Sequence, residues 1–306
     1  MTTHPFTPHA PATLVLLAIA ALPLAALADT PAPNADHRFV SVGAQADNRH
    51  NQEALTTLSL PVGTQAWVQA GAGKSRSDAQ AGGYRPGIVD GAVGLTGRAL
   101  QLTLSASHRA DGQRYRQTDV GSSLDWRHGD GNVGLDVSHR QSQATSNGTS
   151  GSTTGPTRVK VAGNGVGVHG GLQLTERFGI YGSAMRSHYH DSTDQTVAPA
   201  PGGLLGGNPV LAQALLGGTS VVNIDQVALD RSAQVGATVR WDKVAVSGEY
   251  TAGQVYGGQG ALHGVDVKAA IDVAPGWRVV PGIGRGSSND GSGHASFASL
   301  SATYGW

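Results

Sequence analysis

From about Arg38 to its last residue the chain alternates apolar and polar positions in short runs, the two-residue period of a pleated strand. Leu100, Leu102, Leu104 and Ala106 fall on one face; Gln101, Thr103, Ser105 and Ser107 fall on the other. Val133, Leu135 and Val137 oppose Asn132, Gly134, Asp136 and Ser138 in the same way. Val265, Val267, Ala269, Ile271 and Val273 oppose Asp266, Lys268, Ala270 and Asp272. The final run sets Ala298, Leu300, Ala302, Tyr304 and Trp306 against Ser299, Ser301, Thr303 and Gly305. A strand with one greasy face that stops on an aromatic would template aggregation if its edge stayed free. Pairing it with the first strand removes both edges, which predicts a closed sheet.

Turn signals divide these runs in a two-beat rhythm. Short connections fall at Pro61–Thr64, Gly97–Arg98, Arg127–Gly131, Thr175–Arg177, Trp241–Lys243 and Ala274–Gly276. Long ones lie near Asp47–Asn51, Lys74–Pro86, His108–Arg116, Gln141–Thr157, His190–Gln226, Gln254–Ala261 and Gly286–Gly293. Six turns and seven loops predict about 14 strands, an even number that returns both ends of the sheet to the short-turn side.

Alternation alone does not separate a water-soluble sandwich from a membrane barrel with a wet interior. The aromatic residues do. Trp126, Trp241 and Trp277 each lie within a few residues of a short turn, Phe178 follows the Thr175 turn, and Tyr304 and Trp306 close the chain on the same side. Indole prefers the membrane–water interface, where its ring is buried and its N–H stays wet. Trp67, also near a short turn, joins this belt as its weakest member, because it shares the face of Gln69. Tyr84, Tyr115, Tyr189 and Tyr256 cluster near the opposite ends and predict a thinner second girdle.

The terminal pattern, a final Trp with Tyr two residues earlier and apolar residues at every second position before it, resembles the C-terminal recognition signal of Gram-negative outer-membrane β-barrels. The resemblance covers about nine residues directly and speaks for class. It implies an all-β chain forming a transmembrane antiparallel up-and-down barrel in the cell outer membrane. It also implies contact with outer-membrane lipid and insertion by the barrel-assembly machinery through the C-terminal strand.

The first 28 residues read as a secretory signal: an apolar run from Leu14 to Leu22, Pro23, and the small-x-small site Ala26-Leu27-Ala28 before Asp29. Residues 1–28 are thus expected to be a cleaved signal peptide and 29–306 the barrel, although the stretch before Leu14 carries His4 and His9 and no Lys or Arg. Strand pattern begins by Arg38, so no autotransporter passenger is expected in front of the barrel. Without cysteine the chain has no lipoprotein anchor, thiolate metal site or disulfide framework. Lys+Arg and Asp+Glu are 21 each, and this neutrality offers no basis for binding nucleic acid.

With the apolar face toward lipid, the other face lines a lumen. The register read from the sequence places Asp90, Asp119, Asp125, Asp136, Glu249, Asp266 and Asp272 there. It places Arg109, Arg140, Arg158, Lys160, Arg240, Lys268 and Arg278 there as well. Opposite charges on neighbouring strands would pair. Because neither sign dominates, the expectation is a weakly selective wall with little preference between cations and anions. The lumen glycines Gly134, Gly163, Gly165, Gly167, Gly236, Gly282 and Gly284 favour open space or relieve curvature.

The longest connection, about 190–226, holds a punctuated short helix. Asn208 reads as the N-cap, Pro209 as the first helical residue, and Gly217 and Gly218 as the stop. Its side chains, Leu211 and Leu215 among them, are apolar, so the segment is expected to form a constriction, cap the mouth or bind a partner. His188 and His190, two residues apart, fit a metal-ligand pair, a pH sensor or a solvated rim; no metal or cofactor is assigned. No Gly-x-Ser-x-Gly elbow or His-Glu-x-x-His occurs, and an enzyme is not expected. The expected function is a passive channel for small polar solutes or ions, gated by the long loop. The alternative is a non-conducting surface scaffold, adhesin or secretion partner.

Overall fold

The structure, a computed structural model, describes residues 38–48, 51–76, 85–112, 115–146, 157–193, 229–256, 260–289 and 293–306. The expected signal peptide, Tyr84, and the loop segment with Pro209, Leu211 and Leu215 lie outside the described residues. The strands are β1 (Phe39–Asp47), β2 (Gln52–Val62), β3 (Ala66–Arg76), β4 (Gly87–Thr96), β5 (Leu100–Asp111), β6 (Tyr115–His128) and β7 (Gly131–Ser146). They continue with β8 (Thr157–Gln173), β9 (Phe178–Thr193), β10 (Leu229–Trp241), β11 (Val244–Val255), β12 (Ala261–Ala274), β13 (Trp277–Ser288) and β14 (Gly293–Gly305). Each pairs antiparallel with its sequence neighbours, and β1 pairs with β14 to close the barrel. All six short connections fall where the turn signals place them. Gly63 and Gly276 occupy them with φ of 68° and 75°, the left-handed region that a tight turn asks of one residue.

Closure answers the edge problem posed by the last strand. From Phe39 opposite Gly305 to Asp47 opposite Phe297, both free edges become one antiparallel seam. Among the described residues, no second sheet covers the outward apolar face. Val42, Leu135, Val166 and Ile283 are 55%, 56%, 61% and 67% exposed. That is the arrangement of a sheet whose outer solvent is hydrocarbon.

The wall is uneven in height. β1 and β4 run 9 and 10 residues, whereas β7, β8 and β9 run 16, 17 and 16. A tilted membrane-spanning strand needs about 9–11 residues, so β7 to β9 extend well past that span on the long-loop side.

Aromatic side chains mark the opposite end. Trp126, Trp241, Trp277 and Trp306 are about half exposed at the short-turn rim. The Tyr304 ring lies 4.9 Å from that of Trp277 and 6.0 Å from that of Trp306, and Phe178 stands opposite Val239 on the outer face. Two expectations change. Trp67 points inward and is buried, opposite Gly94, as its place beside Gln69 implied. Tyr115 and Tyr189 also point inward and are buried, with Tyr256 at 5.4 Å from Tyr189, so these residues form no outer girdle.

Candidate functional site: the inner wall

The register fixes which side chains face the lumen. Of the residues expected there, Asp90, Arg109, Asp119, Asp136, Arg140, Arg240, Glu249, Asp266 and Lys268 lie on the inward face. Lys160 does not. It stands opposite Gln143 and Ser192, on the outward side of β8, while its neighbour Val161 turns inward and is buried. The sequence Val159-Lys160-Val161 reads as two lipid-facing valines around a lumen lysine. Face parity, however, is set lower in the strand, where Val166 and Val168 meet the apolar surroundings. At the height of Lys160, β8 has left the span that hydrocarbon disciplines. The side chain of Arg158 lies outside the described residues.

The inner face adds charges the sequence reading passed over: Asp47, Glu53, Asp111 and Arg127. Among the residues whose side chains are described, ten inward carboxylates therefore face six inward Arg and Lys side chains. The carboxylates are Asp47, Glu53, Asp90, Asp111, Asp119, Asp125, Asp136, Glu249, Asp266 and Asp272; the bases are Arg109, Arg127, Arg140, Arg240, Lys268 and Arg278. Three of the six bases, Arg127, Arg240 and Arg278, sit at the short-turn mouth. Acidic residues dominate the middle and the long-loop half.

Specific pairs organise this wall. Arg109 donates to Glu53 at 2.9 Å, reaching over two intervening strands. Arg140 binds Asp119 at 2.5 Å, and Gln117 and Tyr115 extend that network, Tyr115 Oη donating to Gln117 and Gln117 Nε2 to Asp119. His169 lies between two carboxylates, Nδ1 2.6 Å from Asp136 and Nε2 2.7 Å from Asp125, an arrangement satisfied when both ring nitrogens carry protons. Glu249 and Asp266 stand directly opposite each other on β11 and β12. Lys268 binds Asp266 at 2.9 Å, whereas Glu249 accepts from the hydroxyls of Tyr181 (3.1 Å) and Thr251 (3.5 Å).

The lumen glycines are seats for rings rather than empty space. Trp67 faces Gly94, His169 faces Gly134, Tyr189 faces Gly163, Tyr181 faces Gly236 and Phe297 faces Gly284, each as a direct cross-strand pair. A Cβ built on any of these five glycines would come within 2.0–2.3 Å of the ring opposite. Each ring lies over bare backbone, the pairing that shields a glycine in a sheet.

Two cavities open from the inner wall. One of about 390 Å³ is lined by Asp90, Ser105, Ser107, Asp119, Ser138 and Arg140, among others. Another, of about 170 Å³, has Asp136, Ser183, Gln234, Glu249, Asp266 and Phe297 among its lining residues. Toward the long-loop end the inner face turns apolar. Ile88, Val161, Leu229, Val255 and Ala295 are all buried there, and Leu262 packs against Leu229 and Val255. A register shift between Leu229 and Arg231 accompanies the inward position of Leu229. This collar was not anticipated, yet it has a signal: Ile88 and Phe297 are apolar at the same parity as Asp90 and Ser299.

A closed, even-numbered antiparallel barrel with apolar residues outside and charged residues inside defines the transmembrane β-barrel class. No protein-family model and no curated protein matches the sequence. Solved structures do match by fold. The CymD monoaromatic hydrocarbon channel has a TM-score of 0.56 at 9% identity, over 88% of this chain and 87% of that one. A Pseudomonas aeruginosa FadL homologue has a TM-score of 0.57 at 8% identity, over 92% and 93%. The fold is thus that of outer-membrane β-barrel proteins, channels among them.

Proposed function

We propose that the protein is an outer-membrane channel that passively conducts small polar solutes and ions, with a mild preference for cations. The observation that carries this reading is the inner wall, polar and charged through mid-depth and hollowed by two cavities lined with hydroxyls, carboxylates and an arginine. About 14 strands fall between the eight that side chains fill and the 16 to 18 that leave a broad aqueous channel. The excess of carboxylates over bases replaces the neutral wall expected from sequence and is the basis for the cation preference. Export by residues 1–28, residence in the outer membrane and insertion through β14 by the barrel-assembly machinery belong to the same proposal, as does gating by the segment around Pro209, Leu211 and Leu215.

Planar-bilayer recording on refolded protein tests it. Reproducible open steps are expected, with a reversal potential displaced toward the cation in a salt gradient. Silence across the bilayer in spite of insertion leaves the scaffold reading in its place. Deleting residues 199–218 is expected to relieve spontaneous conductance block; unchanged block removes the loop from the mechanism. A second reading rests on the buried apolar collar, which suits a small hydrophobic solute of the kind named for CymD. Saturable quenching of inner-wall fluorescence by toluene, with no uptake of sugars into vesicles, would favour it.

A further inference from the structure

Charge on the strands is sorted by face. Among the described residues, the strand carboxylates whose face the register fixes all point inward, while a set of basic side chains points outward near the long-loop rim. Lys74 and Arg76 on β3, Arg116 on β6, Arg186 on β9, Arg231 on β10 and Arg285 on β13 are exposed there. This side is the one free to meet lipid.

Arg186 and Arg231 stand directly opposite each other on adjacent strands. Like charges in that position repel and destabilise a sheet unless something anionic lies between them. Arg231 donates through Nε to Gln254 at 2.7 Å, which leaves its terminal nitrogens available; the Arg186 side chain makes no hydrogen bond or ion pair with another described residue. A surface groove joins the two arginines to Asn164, His188 and Gln254. Asp230 is the one carboxylate in its lining, so two guanidinium groups outweigh it.

The height of these arginines is informative. Arg186 is the direct neighbour of Val166, and Arg285 of Val265, valines that are 61% and 54% exposed on the lipid face. The cations therefore sit where the apolar wall ends. A group held there has an anionic head at the arginines and hydrocarbon against the valines below. Guanidinium binds phosphate through paired N–H donors, and Asn, Gln and His supply hydrogen-bonding partners suited to sugar hydroxyls.

We infer that this belt, with the Arg186–Arg231 groove at its centre, binds the phosphate groups of an anionic glycolipid of the outer leaflet. The inference rests on the proposed residence in the outer membrane, with the short turns toward the periplasm and the long loops toward the outer leaflet as in barrels of this class, and its test needs no open pore. The full mature chain, refolded in neutral detergent, is titrated with fluorescent diphosphorylated lipid A and with its dephosphorylated form. The intact protein is expected to bind the diphosphorylated form more tightly. Exchanging Arg186→Gln and Arg231→Gln together is expected to weaken that binding about 25-fold, at about fivefold for each arginine near an anionic surface. The pair Arg98→Gln and Arg177→Gln, at the other rim, removes equal charge and is expected to leave binding unchanged. Should the first double variant fail to refold, Arg285→Gln is expected to lose about fivefold by itself. Equal affinity for both lipid forms, equal loss from the Arg98 and Arg177 pair, or displacement of the lipid by an equal concentration of inorganic phosphate would overturn the assignment. A protein that binds lipid A and carries no current would leave this inference standing and remove the channel alone.

Discussion

Five rings seated on five glycines carry much of the inner wall, and each is a contact that a single methyl group would spoil. At Gly236 an added Cβ would meet Tyr181 at 2.3 Å; at Gly284 it would meet the Phe297 ring at 2.0 Å and the Val265 carbonyl at 2.7 Å. Gly284→Ala therefore crowds backbone as well as side chain and is expected to cost more than Gly236→Ala, both falling within about 1–3 kcal/mol. Urea unfolding of the barrel in vesicles reads the order; a reversed order would mean that the ring seats do not govern the packing. His169 gives a second residue-scale prediction. Its ring is the shared partner of Asp125 and Asp136, so His169→Phe leaves two carboxylates facing the lumen without it. The reversal potential is expected to move further toward the cation in this variant, and a shift toward the anion would show that the histidine is not the balancing charge.

At the scale of the strand, the decisive property is which face meets lipid. Leu104 faces outward opposite Val93 and Ser122, and Ser105, one residue on, faces inward opposite Ala92 and Gly121. Leu104→Arg is expected to destabilise the barrel by roughly 2–4 kcal/mol, the cost of a cation deep in the hydrocarbon, and Ser105→Arg by less than about 1 kcal/mol. Equal effects in urea titrations would remove the inside-out assignment. The sequence made this face legible wherever hydrocarbon enforces it, as at Leu100–Ala106, Val133–Val137 and Val265–Val273. Turn chemistry and loop length made the strand number legible as well. Misreadings gather where that enforcement stops. Lys160, Tyr115 and Tyr189 stand high on the wall, where outward positions need no longer be apolar. The ring seats were hidden for another reason: a glycine's strand shows no sign of which side chain will lie across it from the next one.

For the whole molecule, the proposed cation preference would belong to the summed field more than to any one side chain. Glu249 and Asp266, opposite each other at mid-barrel with Lys268 bound to Asp266, contribute strongly to that field. Replacing both, Glu249→Gln with Asp266→Asn, is expected to reduce cation preference toward neutrality while open-level conductance falls less than twofold. An undiminished preference would locate the filter elsewhere. The seam between β1 and β14 has a broader consequence. The Trp306 amide lies 3.4 Å from the Arg38 carbonyl, so the first and last described residues are already in contact. A tube joined in this way has no geometrical beginning. Linking residue 306 to residue 38 and cutting the chain at the Gly129–Asp130 turn would trace the same cylinder in a different order. Whatever privilege the final strand holds is one of timing during biogenesis, and a circularly permuted chain separates the two: the finished object should be the same, and only its route into the membrane should differ.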